Sequence, residues 1–144
     1  MDSLTTAQVL PISGCTAVFV HQRDGRMSLE LLAPDGQLLA VFSDSTVDNG
    51  LLRGAWHGVR DQDGIRRGWS LAVGHCAEHD GVTVHFGSRR MLTGSGTTLS
   101  LDPVRHGIFW ITEANDSFTH VTATSGARSD RTRLTRVRSQ EVLP

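Results

Sequence analysis

The stretch Gly54-Ala55-Trp56-His57-Gly58-Val59-Arg60-Asp61-Gln62-Asp63-Gly64-Ile65-Arg66-Arg67-Gly68-Trp69-Ser70-Leu71 decides the fold class. Asp63-Gly64 sits between two runs that alternate apolar and polar. Asp-Gly in that setting is the strongest short hairpin signal, because a type I′ turn needs positive φ at both central positions. A two-residue turn sets Trp56 opposite Leu71, Gly58 opposite Trp69 and Gly54 opposite Val73. A large indole over a glycine fills space well, which supports this register.

The same dipeptide recurs at Asp24-Gly25, Asp35-Gly36 and Asp80-Gly81. Two-residue turns at the first two predict a meander over 15–22, 27–33 and 37–43. Val20 then faces Leu29, Val18 faces Leu31, Leu31 faces Ala40 and Leu29 faces Phe42. One face carries Val18, Val20, Leu29, Leu31, Ala40 and Phe42. The other carries Ala17, Phe19, Leu32, Leu39 and Val41 around Glu30. A sheet with one solvated face alternates cleanly; this meander does not, so its second face calls for a cover or a partner.

Aligning apolar with apolar pairs 82–87 with the Trp69 strand: Leu71 with Phe86, Val73 with Val84, His75 with Val82. Trp56, Trp69, Leu71, Val73, Val84 and Phe86 then form one inner face, and Ala55, Ser70, Ala72, Thr83 and His85 a solvated one. Residues 97–101 read as a short strand. Residues 108–114 pair with 117–124 around Asn115-Asp116, with Trp110 opposite Val121 and Ile108 opposite Ala123. A last strand lies near 131–138, where Leu134 and Val137 share a face only if the strand is bulged.

Composition agrees. Val, Thr and Ile total 31 of 144 residues, while Glu is 4 and Lys absent, so strand formers dominate and helix-surface residues are scarce. The expectation is one all-β domain over 1–144, an antiparallel barrel or two-sheet sandwich of about nine or ten strands. Residues 1–14 read as a lead-in and 139–144 as a tail.

All fourteen basic residues are Arg, and Tyr is absent. Without Lys there is no pyridoxal phosphate Schiff base, no Lys imine catalysis and no P-loop lysine. Without Tyr there is no phenolic acid or nucleophile. A formal net charge of −1 gives no global field for nucleic acid or an anionic membrane, and no apolar run approaches a membrane helix. The opening MDSLTTAQVLPISG lacks a basic region and an apolar core. A cytoplasmic chain with Cys15 and Cys76 as free thiols is therefore expected. The all-Arg usage suggests a GC-rich, bacterial genome.

Four groups of residues are candidates for function. Trp56, Trp69 and Trp110, with His75 at the rim, suit a pocket for a small hydrophobic ligand, against the plainer role of filling the core. Gly54-Ala55-Trp56 resembles the Gly-x-Trp of lipocalin-like and avidin-like barrels over three residues; no binding residue is carried across. Arg131, Arg133, Arg136 and Arg138, preceded by Arg128 with Asp130 as the nearby acid, suit an anion. They equally suit a charged edge strand that blocks aggregation. Phe19, Leu32, Leu39 and Val41 suit an interface between copies. His75-Cys76-Ala77-Glu78-His79-Asp80 has ligand and base types, but His-x-x-x-His converges on a metal only in a helix, so no metal and no cofactor are expected.

The leading expectation is a non-catalytic, self-associating β module, a homo-oligomer acting through its surfaces. The alternative is a Trp-lined ligand-binding barrel, with a variant in which it is a cofactor-independent enzyme using His75 or Glu113 as acid or base. Anion or nucleic-acid binding through the C-terminal arginines is the third.

Overall fold

The computed structural model describes residues 3–43, 51–77, 80–89 and 96–138, and these form thirteen strands and no helix. None of the described residues therefore belongs to a helix long and apolar enough to cross a membrane. The first sheet runs in chain order: β1 (Ser3–Val9), β2 (Thr16–Gln22), β3 (Met27–Leu32) and β4 (Leu38–Ser43). The central sheet is ordered β13 (Thr135–Arg136), β5 (Leu52–Gln62), β6 (Ile65–His75), β10 (Phe109–Ala114) and β9 (Val104–His106). The third is ordered β12 (Arg128–Arg133), β11 (His120–Ser125), β7 (Thr83–Arg89) and β8 (Gly96–Leu101). Neighbours are antiparallel except β13 and β5, which are parallel.

The sheets stack as a sandwich of three layers; the chain does not close into a barrel. Along β6, side chains alternate between two cores because successive residues of a strand point to opposite faces. Trp69, Leu71 and Val73, with Trp56 of β5 and Phe109 and Ile111 of β10, meet Ala17, Phe19, Leu29, Leu31 and Phe42 of the first sheet. Ala55, Ala72, Trp110 and Ala114 face the other way, against Val84, Phe86, Val121 and Ala123 of the third sheet. Ser70 and Ala72, expected in solvent, are fully buried for this reason. A strand covered on both faces reads as a nearly continuous apolar run. Each large apolar side chain buried here contributes roughly 1.5–3 kcal/mol.

The Asp63-Gly64 hairpin forms as read. Both residues have positive φ, 54° and 78°, and Trp56–Leu71, Gly58–Trp69 and Gly54–Val73 are partners. The β2–β3 turn differs from the reading. Gln22 N–H donates to Arg26 O (2.8 Å), enclosing Arg23, Asp24 and Gly25, with Gly25 alone at positive φ. This is a three-residue loop, and it slips the register by one, so that Phe19 faces Leu29 and Ala17 faces Leu31. A one-residue slip turns every side chain over: Ala17 and Phe19 point inward, Val18 and Val20 outward. The β3–β4 loop also has three residues, but the register shifts between Leu31 and Leu32, and the expected Leu31–Ala40 and Leu29–Phe42 pairs are restored.

Three further readings are corrected. The strand β1 occupies what was read as a lead-in. The strand β7 pairs with β8 and β11, not with β6, so Val84 and Phe86 belong to the second core rather than to the face of Trp56 and Trp69. Likewise β10 and β11 stack in different sheets instead of pairing. Ser70 Oγ holds their crossover, donating to Asp116 O (2.7 Å) and accepting from Phe118 N–H (2.8 Å). Leu134 and Val137 need no common face: Leu134 lies in the second core and Val137 packs on the first.

Candidate functional site

Among the described residues, no sheet is stacked on the outer face of the first sheet. Across the strands, register places Val9, Thr16, Leu32 and Leu38 in one row and Ala7, Val18, Glu30 and Val41 in the next. Val9, Leu38 and Val41 are more than half exposed, and Val18, Val20 and Leu32 are half-buried. Of the four interface candidates, Leu32 and Val41 lie on this face. Phe19 is buried in the first core, stacked on His106 with ring centroids 4.2 Å apart, and Leu39 packs against that core.

The edges of this sheet are β1 and β4. The edge strand β1 pairs with β2 over its full seven residues. Its residues Thr5 to Val9 are all exposed. The segment Ser3-Leu4-Thr5-Thr6-Ala7-Gln8-Val9 has no charge, no Pro and no Gly. Of the other edges, β12 carries Arg128, Asp130, Arg131 and Arg133; β9 and β13 have three and two residues; β4 has the register break against β3; and β8 is uncharged but begins with Gly96.

The three tryptophans do not share a pocket. Trp56 and Trp69 lie in the first core, and Trp110 lies in the second, donating its indole N–H to Leu51 O at 3.1 Å. Gly58 makes room for Trp69, since a Cβ there would stand 2.7 Å from the indole. One cleft does reach Trp69. It has a volume of about 300 Å³ and opens between the β3–β4 turn, the β5–β6 ribbon and Val137–Arg138. A ligand-pocket candidate, Trp69, and an anion candidate, Arg138, thus line the same cleft. The other arginines separate: Arg131 and Arg133 lie on β12 at the edge of the third sheet, and Arg136 lies on β13 beside His57.

Other polar groups hold the layers together. Glu113 accepts the N–H groups of Ser13 (2.7 Å) and Ile12 (3.3 Å), tying the β1–β2 corner to the central sheet. Arg60 donates to Pro11 O (3.1 Å) at the same corner. Asp130 accepts Leu52 N–H at 3.0 Å, joining β12 to β5. His57 Nδ1 lies 2.6 Å from Ser117 Oγ; burial, and then the Arg136 guanidinium, lower the pKa of this imidazole.

The segment after β6 is a clamped loop. Arg105 donates to Cys76 Sγ (2.7 Å) and to Ala77 O (2.7 Å). His75 is buried opposite Phe109, and its Nδ1 has no hydrogen-bond partner among the described residues. Glu78 and His79 lie outside the described residues, among which no three metal-ligating side chains converge. Burial pushes the Cys15 thiol up to about 11. Neither the exposed β1 edge nor the β4 bulge was found from sequence; the uncharged run at 3–9 was the available signal for the first.

Fold and site together define an all-β sandwich of three layers, with an apolar outer face on the first sheet and, at β1, an edge strand that has no charge, Pro, Gly or bulge among the described residues. No protein-family model, no curated protein and no solved structure matches the chain.

Proposed function

We propose that the protein is a self-associating β module acting through its surfaces, and that a second copy pairs along the free edge of β1. The observation that carries this is the seven-residue edge Ser3–Val9, which is free of charge, Pro and Gly. A free edge presents a row of unpaired N–H and C=O groups, and proteins ordinarily guard such edges with charge, brevity, Pro or a bulge. The strand β1 has none of these guards.

Pairing β1 antiparallel to its copy is isologous, so it closes at two chains rather than growing into a fibre. It makes a continuous sheet from two four-stranded ones and joins their apolar outer faces. Face-to-face stacking is less favourable, because Glu30 sits mid-face among Val18, Val41 and Ala7 and would be buried without a partner.

Sedimentation velocity from low to high micromolar concentration tests this reading. A reversible dimer is expected, converted to monomer by Ala7→Lys and unaffected by Leu99→Lys on β8, an uncharged edge of the third sheet. A monomer at every concentration overturns the reading, as does a dimer that only Leu99→Lys dissociates.

A further inference from the structure

We infer that the cleft at Trp69 and Arg138 is a binding site for a small organic anion with an aromatic or compact apolar body. The site stands apart from the proposed dimer edge and does not depend on it. Its volume, about 300 Å³, is at the lower end of the range for small-molecule sites. Ala33, Pro34, Val59, Val137 and the edge of Trp69 supply an apolar lining, so the body of a ligand would leave water on entering.

Arg138 sets the sign of the ligand. Arg66 and Arg138 line the cleft together with Asp35 and Asp61. Arg66 and Asp61 form an exposed pair at 3.7 Å, and such pairs contribute little. Asp35 accepts the Gln37 N–H at 3.0 Å within its own turn. The Arg60 guanidinium is directed to the carbonyls of Pro11 and Ile12 at the β1–β2 corner. Arg138 has no hydrogen bond or ion pair among the described residues. It is held at the mouth because the amide of its neighbour Val137 donates to His57 O at 2.8 Å. A planar guanidinium on the rim of an apolar cleft matches a carboxylate on a ring, since the fork takes both oxygens.

The arrangement is specific to this end of the molecule. A second cleft, of about 290 Å³, shares Arg60 but is lined by Gln62, Asp63, Arg67 and Asn115 and has no aromatic wall. Arg131 and Arg133 lie on another sheet, so the C-terminal arginines form no continuous track for a polyanion.

The test uses the full chain with isotope-labelled indoles, assigned by single Trp→Phe variants, titrated with naphthoate and separately with its uncharged amide. Naphthoate is expected to shift the Trp69 indole N–H saturably, and the amide to bind about tenfold more weakly, the equivalent of losing one charge-assisted hydrogen bond. Arg138→Gln, an exposed change outside the core, should reduce naphthoate to the affinity of the amide. An unmoved Trp69 signal overturns the assignment. So does equal binding of the two probes, or a naphthoate affinity that Arg138→Gln leaves unchanged.

Discussion

The indole N–H of Trp110 donates to the main-chain carbonyl of Leu51 at 3.1 Å, and both residues are fully buried. Gly74 lies opposite Trp110 on β6, and a Cβ added there would overlap both the carbonyl and the indole. The second core closes on this contact. Gly74→Ala is therefore predicted to cost about 3 kcal/mol through overpacking. Gly81→Ala, where an added Cβ meets nothing within 4 Å, should stay within about 0.5 kcal/mol of the parent. Urea unfolding at neutral pH checks both.

Cys15 gives the protein an alkaline limit. Its thiol titrates at about 11 when folded, against a reference of 9.0, chiefly because it is buried. Between those values the unfolded chain ionises and the folded one does not, so stability is intact below pH 9 and falls as pH rises towards 11. The loss approaches about 3 kcal/mol. With neither Lys nor Tyr in the chain, few other groups titrate there. Denaturation across this window should show the decline, and Cys15→Ala should flatten it.

On the acid side, His57 and His106 act in the opposite sense. Both have lowered pKa values from burial, with Arg136 adding to the effect at His57. The unfolded chain takes up these protons first, so stability falls as pH drops below 6.5. Arg136→Gln removes a nearby positive charge and should raise the His57 value. An imidazole titration followed by magnetic resonance reads that shift directly.

Glu113→Gln tests the corner that joins the first and central sheets. The carboxylate accepts from two N–H groups, of Ile12 and Ser13, and a neutral amide offers one oxygen in its place. A loss of about 1–2 kcal/mol is expected. Hydrogen exchange should become faster at residues 10–15.

How far the chain can be read from sequence depended on loop chemistry. At Asp63-Gly64 both residues have positive φ and the pairing of β5 with β6 followed. At Asp24-Gly25 only the glycine does, because the same dipeptide also ends a three-residue loop. Nothing in the letters Asp-Gly separates the two turns, and the difference moved Phe19 from the outer face to the core. The stacking of β10 on β11 was hidden for a related reason. Trp110, Val121 and Ala123 share a core in either arrangement, so periodicity alone does not tell pairing from layering. Trp69 and Arg138, widely separated in sequence, were each singled out; that they line one cleft depends on the parallel pairing of β13 with β5, which no local pattern announces.

The edge of β1 is best tested by amide hydrogen exchange at concentrations below and above the association midpoint. Pairing through β1 requires that amides within 3–9 gain protection as concentration rises, while those of β4 and β8 stay as they were. Protection appearing at 38–43 or 96–101 instead, or an exchange pattern indifferent to concentration throughout, would contradict it.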